Sequence, residues 1–178
     1  TAIEGVNQEE GKTLYVGTAG GGIWKTLNAG VTFKPIFDKY CQSIGAIAID
    51  QKNPKVIYAG TGESNMRNSV SIGDGLYKTT DGGETWNKIL YANDTTGCAD
   101  LGMDPSNPNK LIAAMGQFRR TPWNLKSGGK GSGLFITVDG GKNWKQLGKE
   151  DGLPDGQLGR IGIAFSRSMP SRVYAKVE

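Results

Sequence analysis

The chain contains no histidine, and its 178 residues include only two cysteines and seven prolines. Without histidine it lacks the commonest neutral-pH general base and the commonest metal ligand. Cys41 and Cys98 stand 57 residues apart with no CxxC spacing, which excludes a zinc ribbon and a thioredoxin-like redox motif and leaves a disulfide between them open. No metal and no cofactor are expected. No stretch approaches the ~20 apolar residues of a membrane span, and the chain opens on a polar segment without the apolar core of a signal peptide, so any export signal is expected to have been removed or never present. A one-sided charge is missing too. The 21 Lys and Arg exceed the 17 Asp and Glu by four, and the two signs are interspersed, which is ordinary solubility charge and gives no reason to expect nucleic acid as a partner.

What the chain has in quantity is glycine, 28 residues, with no triplet period, so many tight turns are expected. One unit recurs three times and begins a fourth. The first copy reads Leu14-Tyr15-Val16-Gly17-Thr18, Gly22-Ile23-Trp24-Lys25-Thr26 and Asn28-Ala29-Gly30-Val31-Thr32-Phe33. The second reads Ile57-Tyr58-Ala59-Gly60-Thr61, Gly75-Leu76-Tyr77-Lys78-Thr79 and Asp81-Gly82-Gly83-Glu84-Thr85-Trp86. The third reads Leu111-Ile112-Ala113-Ala114-Met115, Gly133-Leu134-Phe135-Ile136-Thr137 and Asp139-Gly140-Gly141-Lys142-Asn143-Trp144. Only the opening half returns as Gly159 to Phe165 and Arg172 to Val177.

Each unit supplies four short runs rich in β-branched and aromatic residues, bounded by Gly, Asn, Asp and Pro, the pattern of a strand meander. The boxed turns lie 53 and 58 residues apart, near the ~40–50 of four-stranded propeller blades once insertions are allowed. The expected fold is therefore an all-β propeller of four-stranded antiparallel blades, three blades plus part of a fourth. It forms a single partial domain over 1–178, with units near 1–40, 41–92, 93–150 and 151–178. Residues 43–50 read as the innermost strand of the second blade, with Gly45, Ala46 and Ala48 small enough for the crowded axis. Asn53-Pro54 and Asn107-Pro108 read as turns.

The box has the form Thr-x-Asp-x-Gly-x-x-Trp, at Thr79, Asp81, Gly83 and Trp86 and again at Thr137, Asp139, Gly141 and Trp144, with a decayed copy from Thr26 to Phe33. A carboxylate at that position is suited to accepting backbone N–H groups of the turn, and the glycine to positive φ. The aromatic is expected to pack back over its hairpin. The same role recurring in every blade makes these acids turn staples instead of catalytic or calcium-binding groups. Trp24, Tyr77 and Phe135 are expected to pack between blades.

At these residues the chain resembles the Asp-box, or bacterial neuraminidase repeat, propellers, closest to the sortilin-type, glycosyl hydrolase-like secreted bacterial proteins. Further carriers of the resemblance are Gly60-Thr61-Gly62-Glu63 with Gly73-Asp74-Gly75, Arg119-Arg120-Thr121-Pro122-Trp123, and Gly159-Arg160-Ile161-Gly162 leading to Val173-Tyr174-Ala175 and Glu178. The resemblance implies a secreted, periplasmic or cell-surface bacterial protein, and one more blade between the segments like Thr79 to Trp86 and those like Leu90 to Asp104. In the less similar xyloglucan-cleaving propellers a catalytic Asp follows the strand equivalent to Val16-Gly17-Thr18. Here that place is Ala19, which counts against carrying over their mechanism.

Two insertions between second and third strands of adjacent blades, Glu63 to Asn68 closed by Asp74 and Gln117 to Asn124, are expected to rise from one face. Glu63, Asn65, Arg67, Asp74, Arg119, Arg120 and Trp123 then offer carboxylates, guanidinium forks and a stacking ring, suited to a glycan or polypeptide ligand. The competing reading has Glu63 and Asp74 pairing with the arginines to hold the loops. Residues 126–133 read as a flexible connection. The first expectation is a binding or scaffold module whose ring is completed by further blades or a partner chain. The second is a glycoside hydrolase working through Glu63 and Asp74.

Overall fold

The computed structural model describes residues 2–9, 11–65 and 68–178. Among these residues there is no α-helix, only 3-10 turns at Asn7–Glu9 and Lys149–Asp151. The first sheet runs in chain order through β1 (Ala2–Gly5), β2 (Leu14–Gly17), β3 (Ile23–Thr26) and β4 (Lys34–Pro35). The second repeats this order with β5 (Ile44–Ile49), β6 (Ile57–Thr61), β7 (Leu76–Thr79) and β8 (Asn87–Leu90). In the third, β9 (Gly97–Met103) and β10 (Leu111–Gly116) are followed by an inserted hairpin, β11 (Phe118–Thr121) and β12 (Asn124–Ser127), before β13 (Gly133–Thr137) and β14 (Lys145–Gln146) complete the order β9-β10-β13-β14. The fourth consists of β15 (Ile161–Phe165) paired with β16 (Val173–Val177). All pairings are antiparallel. The molecule is an arc of a β-propeller: three four-stranded blades and a two-stranded fourth.

The first strand of each blade lies innermost. β5 touches β1 on one side and β9 on the other, and β9 touches β15. Together they wall an open channel of about 690 Å³, reached by Glu4, Ile47, Asp50, Asp104, Phe165 and Arg167. Crowding there explains the small residues of β5. A Cβ on Gly45 would lie 2.2 Å from the Gly62 carbonyl oxygen and 2.8 Å from that of Cys98, so only glycine lets the second and third blades meet backbone to backbone.

Strand alternation divides each blade between two cores. Ile47, Ile49, Ile57, Ala59 and Tyr77 face the first blade, where they meet Val6, Tyr15, Ile23 and Phe37. Their neighbours Ala46, Ala48, Tyr58 and Leu76 face the third, against Leu101, Leu111 and Met115. Ile112, Ala114 and Leu134 then meet Ile161, with Ile163 and Phe165 alongside. Burying a side chain such as Phe37, Ile44 or Ile57, each 0% exposed, contributes roughly 1.5–3 kcal/mol. Exposed pairs such as Lys149–Asp155 contribute on the order of 0–1 kcal/mol, so apolar seams hold the arc.

Polar contacts set the register of those seams. Lys25 Nζ donates to the Gly82 carbonyl (3.0 Å), and Lys78 Nζ to the Gly140 carbonyl (2.7 Å), which also accepts Tyr58 OH at 3.2 Å. Gln51 bridges the first two blades, donating to the Gly5 carbonyl (2.9 Å) and accepting Asn7 N–H (3.0 Å). Ile163 N–H donates to Asp100 Oδ2 at 2.7 Å, tying the fourth blade to the third.

Candidate functional site

The three boxed turns share one wiring. Asp81 Oδ1 accepts the N–H groups of Glu84 (2.9 Å) and Thr85 (3.0 Å) and the Thr79 hydroxyl (2.6 Å), while Thr79 Oγ1 accepts Gly83 N–H at 3.1 Å. Asp139 repeats this with Lys142 (2.9 Å), Asn143 (3.0 Å) and Thr137 (2.8 Å), and Gly141 N–H bonds Thr137 Oγ1 at 3.0 Å. Asn28 substitutes an amide oxygen, accepting Thr32 N–H and the Thr26 hydroxyl, both at 2.9 Å. The Thr79 hydroxyl above all holds Asp81 well below the carboxylate range, and the Asn143 N–H does the same for Asp139. Carboxylates so engaged are poor bases, and the boxes act as fasteners.

The box glycines are where one blade touches the last. Gly83 (φ 100°) and Gly141 (φ 88°) occupy the left-handed region, and a Cβ on either would come within 2.6 Å of Cδ1 of Ile36 or Ile89. The box tryptophan also leaves its own hairpin, contrary to the expectation. Trp86 Nε1 donates to the Ile36 carbonyl at 3.0 Å, and its ring meets Phe37 edge to face at 5.1 Å, because the preceding blade offers more apolar surface than a glycine-rich turn. Tyr77 is buried in the same seam and Phe135 packs in the next. Trp24, expected between blades, is 36% exposed, since among the described residues no sheet covers that face of the first blade.

The two insertions meet. Val70 N–H donates to the Arg120 carbonyl at 3.1 Å, an antiparallel bridge that joins the second blade's insertion to β11. Glu63 is buried at 2% exposure, and its Oε2 accepts the Asn65 amide at 3.2 Å. Arg67 lies outside the described residues. Arg119 is exposed on β11 and Arg120 half-buried beside it. At the tip of the β11–β12 hairpin Trp123 stands 86% exposed, with Leu125 exposed behind it. Residues 126–133 are not a loose connection. Lys126 and Ser127 belong to β12, and the turn after them is closed by Gly128 N–H to the Gln117 carbonyl and Ser132 N–H to the Gly129 carbonyl, both 2.9 Å.

Among the described residues Asp74 is held by groups other than Arg119 and Arg120. Its Oδ2 accepts Tyr77 OH (2.7 Å) and Lys88 Nζ (2.8 Å), and its Oδ1 the Thr61 hydroxyl (3.0 Å). Burial pushes the carboxyl up, but Lys88, Tyr77 and Thr61 outweigh it and hold Asp74 below its ordinary value. Among the described residues neither Arg119 nor Arg120 makes an ion pair, so their guanidinium groups are uncommitted within the wall. The cysteines are both free, and burial pushes the Cys98 thiol up. The wall is thus a hairpin bearing an aromatic tip and two cations, bridged to a neighbouring loop with a buried carboxyl.

A signal that sequence reasoning passed over sits below the Asn-Pro turns. Asp50 accepts Lys52 N–H at 2.9 Å and Asp104 accepts Ser106 N–H at 2.8 Å, so a second acid-capped turn recurs between first and second strands, legible as Asp-x-x-Asn-Pro.

No helix among the described residues is long and apolar enough to cross a membrane. Comparison with curated proteins finds no match. The structure is similar to that of an ancestral GH74 enzyme (TM-score 0.68, 19% identity), over 92% of this chain and 20% of that one. It is also similar to the GH74 xyloglucanase from Xanthomonas campestris (TM-score 0.58, 14% identity), over 97% of this chain and 27% of that one. The chain therefore spans about a fifth to a quarter of the length of these propeller enzymes, and the likeness is one of fold. In sequence, residues 21–152 match the Sortilin-Vps10 family (sortilin, neurotensin receptor 3), and the chain belongs to that family.

Proposed function

We propose that this chain is a binding module of a secreted or cell-surface protein, engaging a glycan or an extended polypeptide on the wall made by its two insertions. The observation that carries this reading is the β11–β12 hairpin: braced by the Val70–Arg120 bridge, it holds Trp123 at 86% exposure and carries Arg119 and Arg120, which make no ion pair among the described residues. Among the described residues an indole this exposed has no packing role to explain it. Stacking on a sugar face or a side chain gives it one, and the arginines add forked donors for hydroxyl or carboxylate groups.

A hydrolase reading rests on the fold likeness to the GH74 enzymes and on the buried carboxyl of Glu63. The geometry favours it less, because Asp74, its second carboxylate, is fully engaged by Tyr77, Lys88 and Thr61.

The test is binding of the chain to a panel of xyloglucan oligosaccharides and acidic peptides, with Trp123→Ala compared against the unaltered chain. Trp123 makes no core contact, so folding is retained, and affinity for the best ligand is expected to fall at least tenfold. Equal affinity in the variant would remove the wall as the site. Glycan turnover that disappears in both Glu63→Gln and Asp74→Asn, each still folded, would favour the hydrolase.

A further inference from the structure

We propose, building on the wall as a binding surface, that its ligand is a uronate-bearing oligosaccharide whose carboxylate is held between Arg119 and Lys126 on the outward face of the β11–β12 hairpin. Strand alternation divides the hairpin into two faces. On one, Phe118 pairs with Ser127 and Arg120 with Leu125. Phe118 is buried there and Ser127 Oγ donates to the Glu178 carboxylate at 2.8 Å, so this face is turned towards the arc. The other face carries the pairs Arg119 with Lys126 and Thr121 with Asn124. Arg119, Asn124 and Lys126 are exposed on it.

Arg119 and Lys126 stand directly opposite each other, where Cβ atoms lie roughly 4.5–5.5 Å apart and like charges repel. Among the described residues no acid offsets them: neither cation makes an ion pair. The complete blades treat their cations otherwise. Each of the five lysines on their strands holds a partner: Lys25 the Gly82 carbonyl, Lys78 the Gly140 carbonyl, Lys88 Asp74, Lys145 Asp151, and Lys34 Glu84 at 3.9 Å. The hairpin instead sets two open cations face to face, an arrangement that an incoming carboxylate stabilises by bridging them, with the guanidinium fork matching its two oxygens.

The rest of the face suits a sugar. Asn124 offers an amide, and Thr121, whose hydroxyl donates to the Asn124 carbonyl at 3.4 Å, offers an acceptor oxygen, partners for sugar hydroxyls. Trp123 at the tip, 86% exposed, supplies a stacking ring. It lies three residues from Lys126, roughly 10 Å along an extended strand, farther than one sugar ring reaches, so the ligand is an oligosaccharide. An acidic polypeptide would instead add along the open edge of β12. That strand is four residues long and carries Lys126, two features that blunt an edge against strand addition.

The test titrates a galacturonate tetramer into the chain by calorimetry at low salt and measures the thermal midpoint of each variant without ligand. Saturable binding is expected, at least tenfold weaker for the methyl-esterified tetramer and at least tenfold weaker for Lys126→Glu. Because Lys126→Glu places opposite charges across the pair, it should also raise the midpoint of the free chain by roughly 1 °C. Lys142→Gln, which removes a charge from a box turn, should change neither. Absence of saturable binding, equal binding of the ester, equal binding by Lys126→Glu, or a midpoint that Lys126→Glu does not raise overturns the proposal. If a neutral xyloglucan oligosaccharide or a glutamate peptide binds in place of the galacturonate and Trp123→Ala weakens it, the wall stands and the uronate assignment falls. If no ligand's affinity depends on Trp123, both fall.

Discussion

The seam between the first and second blades and the seam between the second and third are built by the same repeat but finished differently. In the first, Trp86 is 5% exposed, its indole N–H is bonded to Ile36 and its ring meets Phe37 edge to face at 5.1 Å, while Phe37, Tyr40 and Tyr77 contact one another at 4.8–5.4 Å. In the second, Trp144 takes the corresponding place, yet among the described residues its buried Nε1 has no partner, and Leu90 stands where Phe37 does. β8 bulges so that Leu76 pairs with Leu90 and Tyr77 with Lys88. The two seams thus differ in polar satisfaction although one repeat builds both, as expected of an array in which each blade meets only its neighbours.

Replacing each indole by phenyl breaks this comparison most sharply. Trp86→Phe leaves the Ile36 carbonyl buried without its donor and is expected to cost about 1–3 kcal/mol in urea unfolding, beyond the loss of ring area. Trp144→Phe removes a donor that is already unsatisfied, so its cost should be smaller by about the same amount. Equal losses in the two variants would mean that a hydrogen bond does not distinguish the seams.

Ala29 offers a second point of leverage. It occupies the place of Gly82 and Gly140, and it is the one non-glycine residue with positive φ among the described residues, at 57°. A side chain there costs roughly 1–2 kcal/mol relative to glycine in local strain, partly offset by the greater freedom of glycine in the unfolded chain. Ala29→Gly should raise the thermal midpoint by an amount corresponding to about 0.5–1 kcal/mol. A lower midpoint would show that the methyl group contributes packing that outweighs the strain.

These differences mark how far the sequence could be read. The propeller, its four-stranded blades and the innermost position of residues 44–49 follow from period-2 alternation and the recurring Thr-x-Asp-x-Gly-x-x-Trp, because strand patterning and turn chemistry are local. The insertions were visible as extra length between strands. That the second would fold as a hairpin was not, since Gly128, Gly129 and Gly131 suggest slack where backbone bonds to Gln117 and Ser132 close a turn. Partners across blades were the least legible. Trp86 bonds Ile36 and Asp74 bonds Lys88 through contacts 50 and 14 residues apart, and no local pattern encodes either.

The boxes themselves supply the mildest contrast, between an amide at Asn28 and carboxylates at Asp81 and Asp139. Hydrogen bonds depress both folded carboxyls below the ~3.9 of an unfolded Asp, so the unfolded chain binds more protons as pH falls, and stability rises with pH through that region. The contribution is fully present above about pH 4 and is lost as pH falls from there towards the folded values. Both acids sit at the solvent rim, where screening keeps the effect small. Asp81→Asn should keep the turn, because Asn28 already makes the equivalent bonds and its Nδ2 donates to Thr32 Oγ1 at 3.0 Å, with Thr85 in the matching place beside Asp81. The variant should therefore be slightly less stable than the parent near neutrality and converge with it as pH falls, losing less thermal stability than the parent between pH 5 and pH 2.5. Parallel pH profiles would mean that the acid anchors of the boxes are not among the groups whose protonation unfolds the arc.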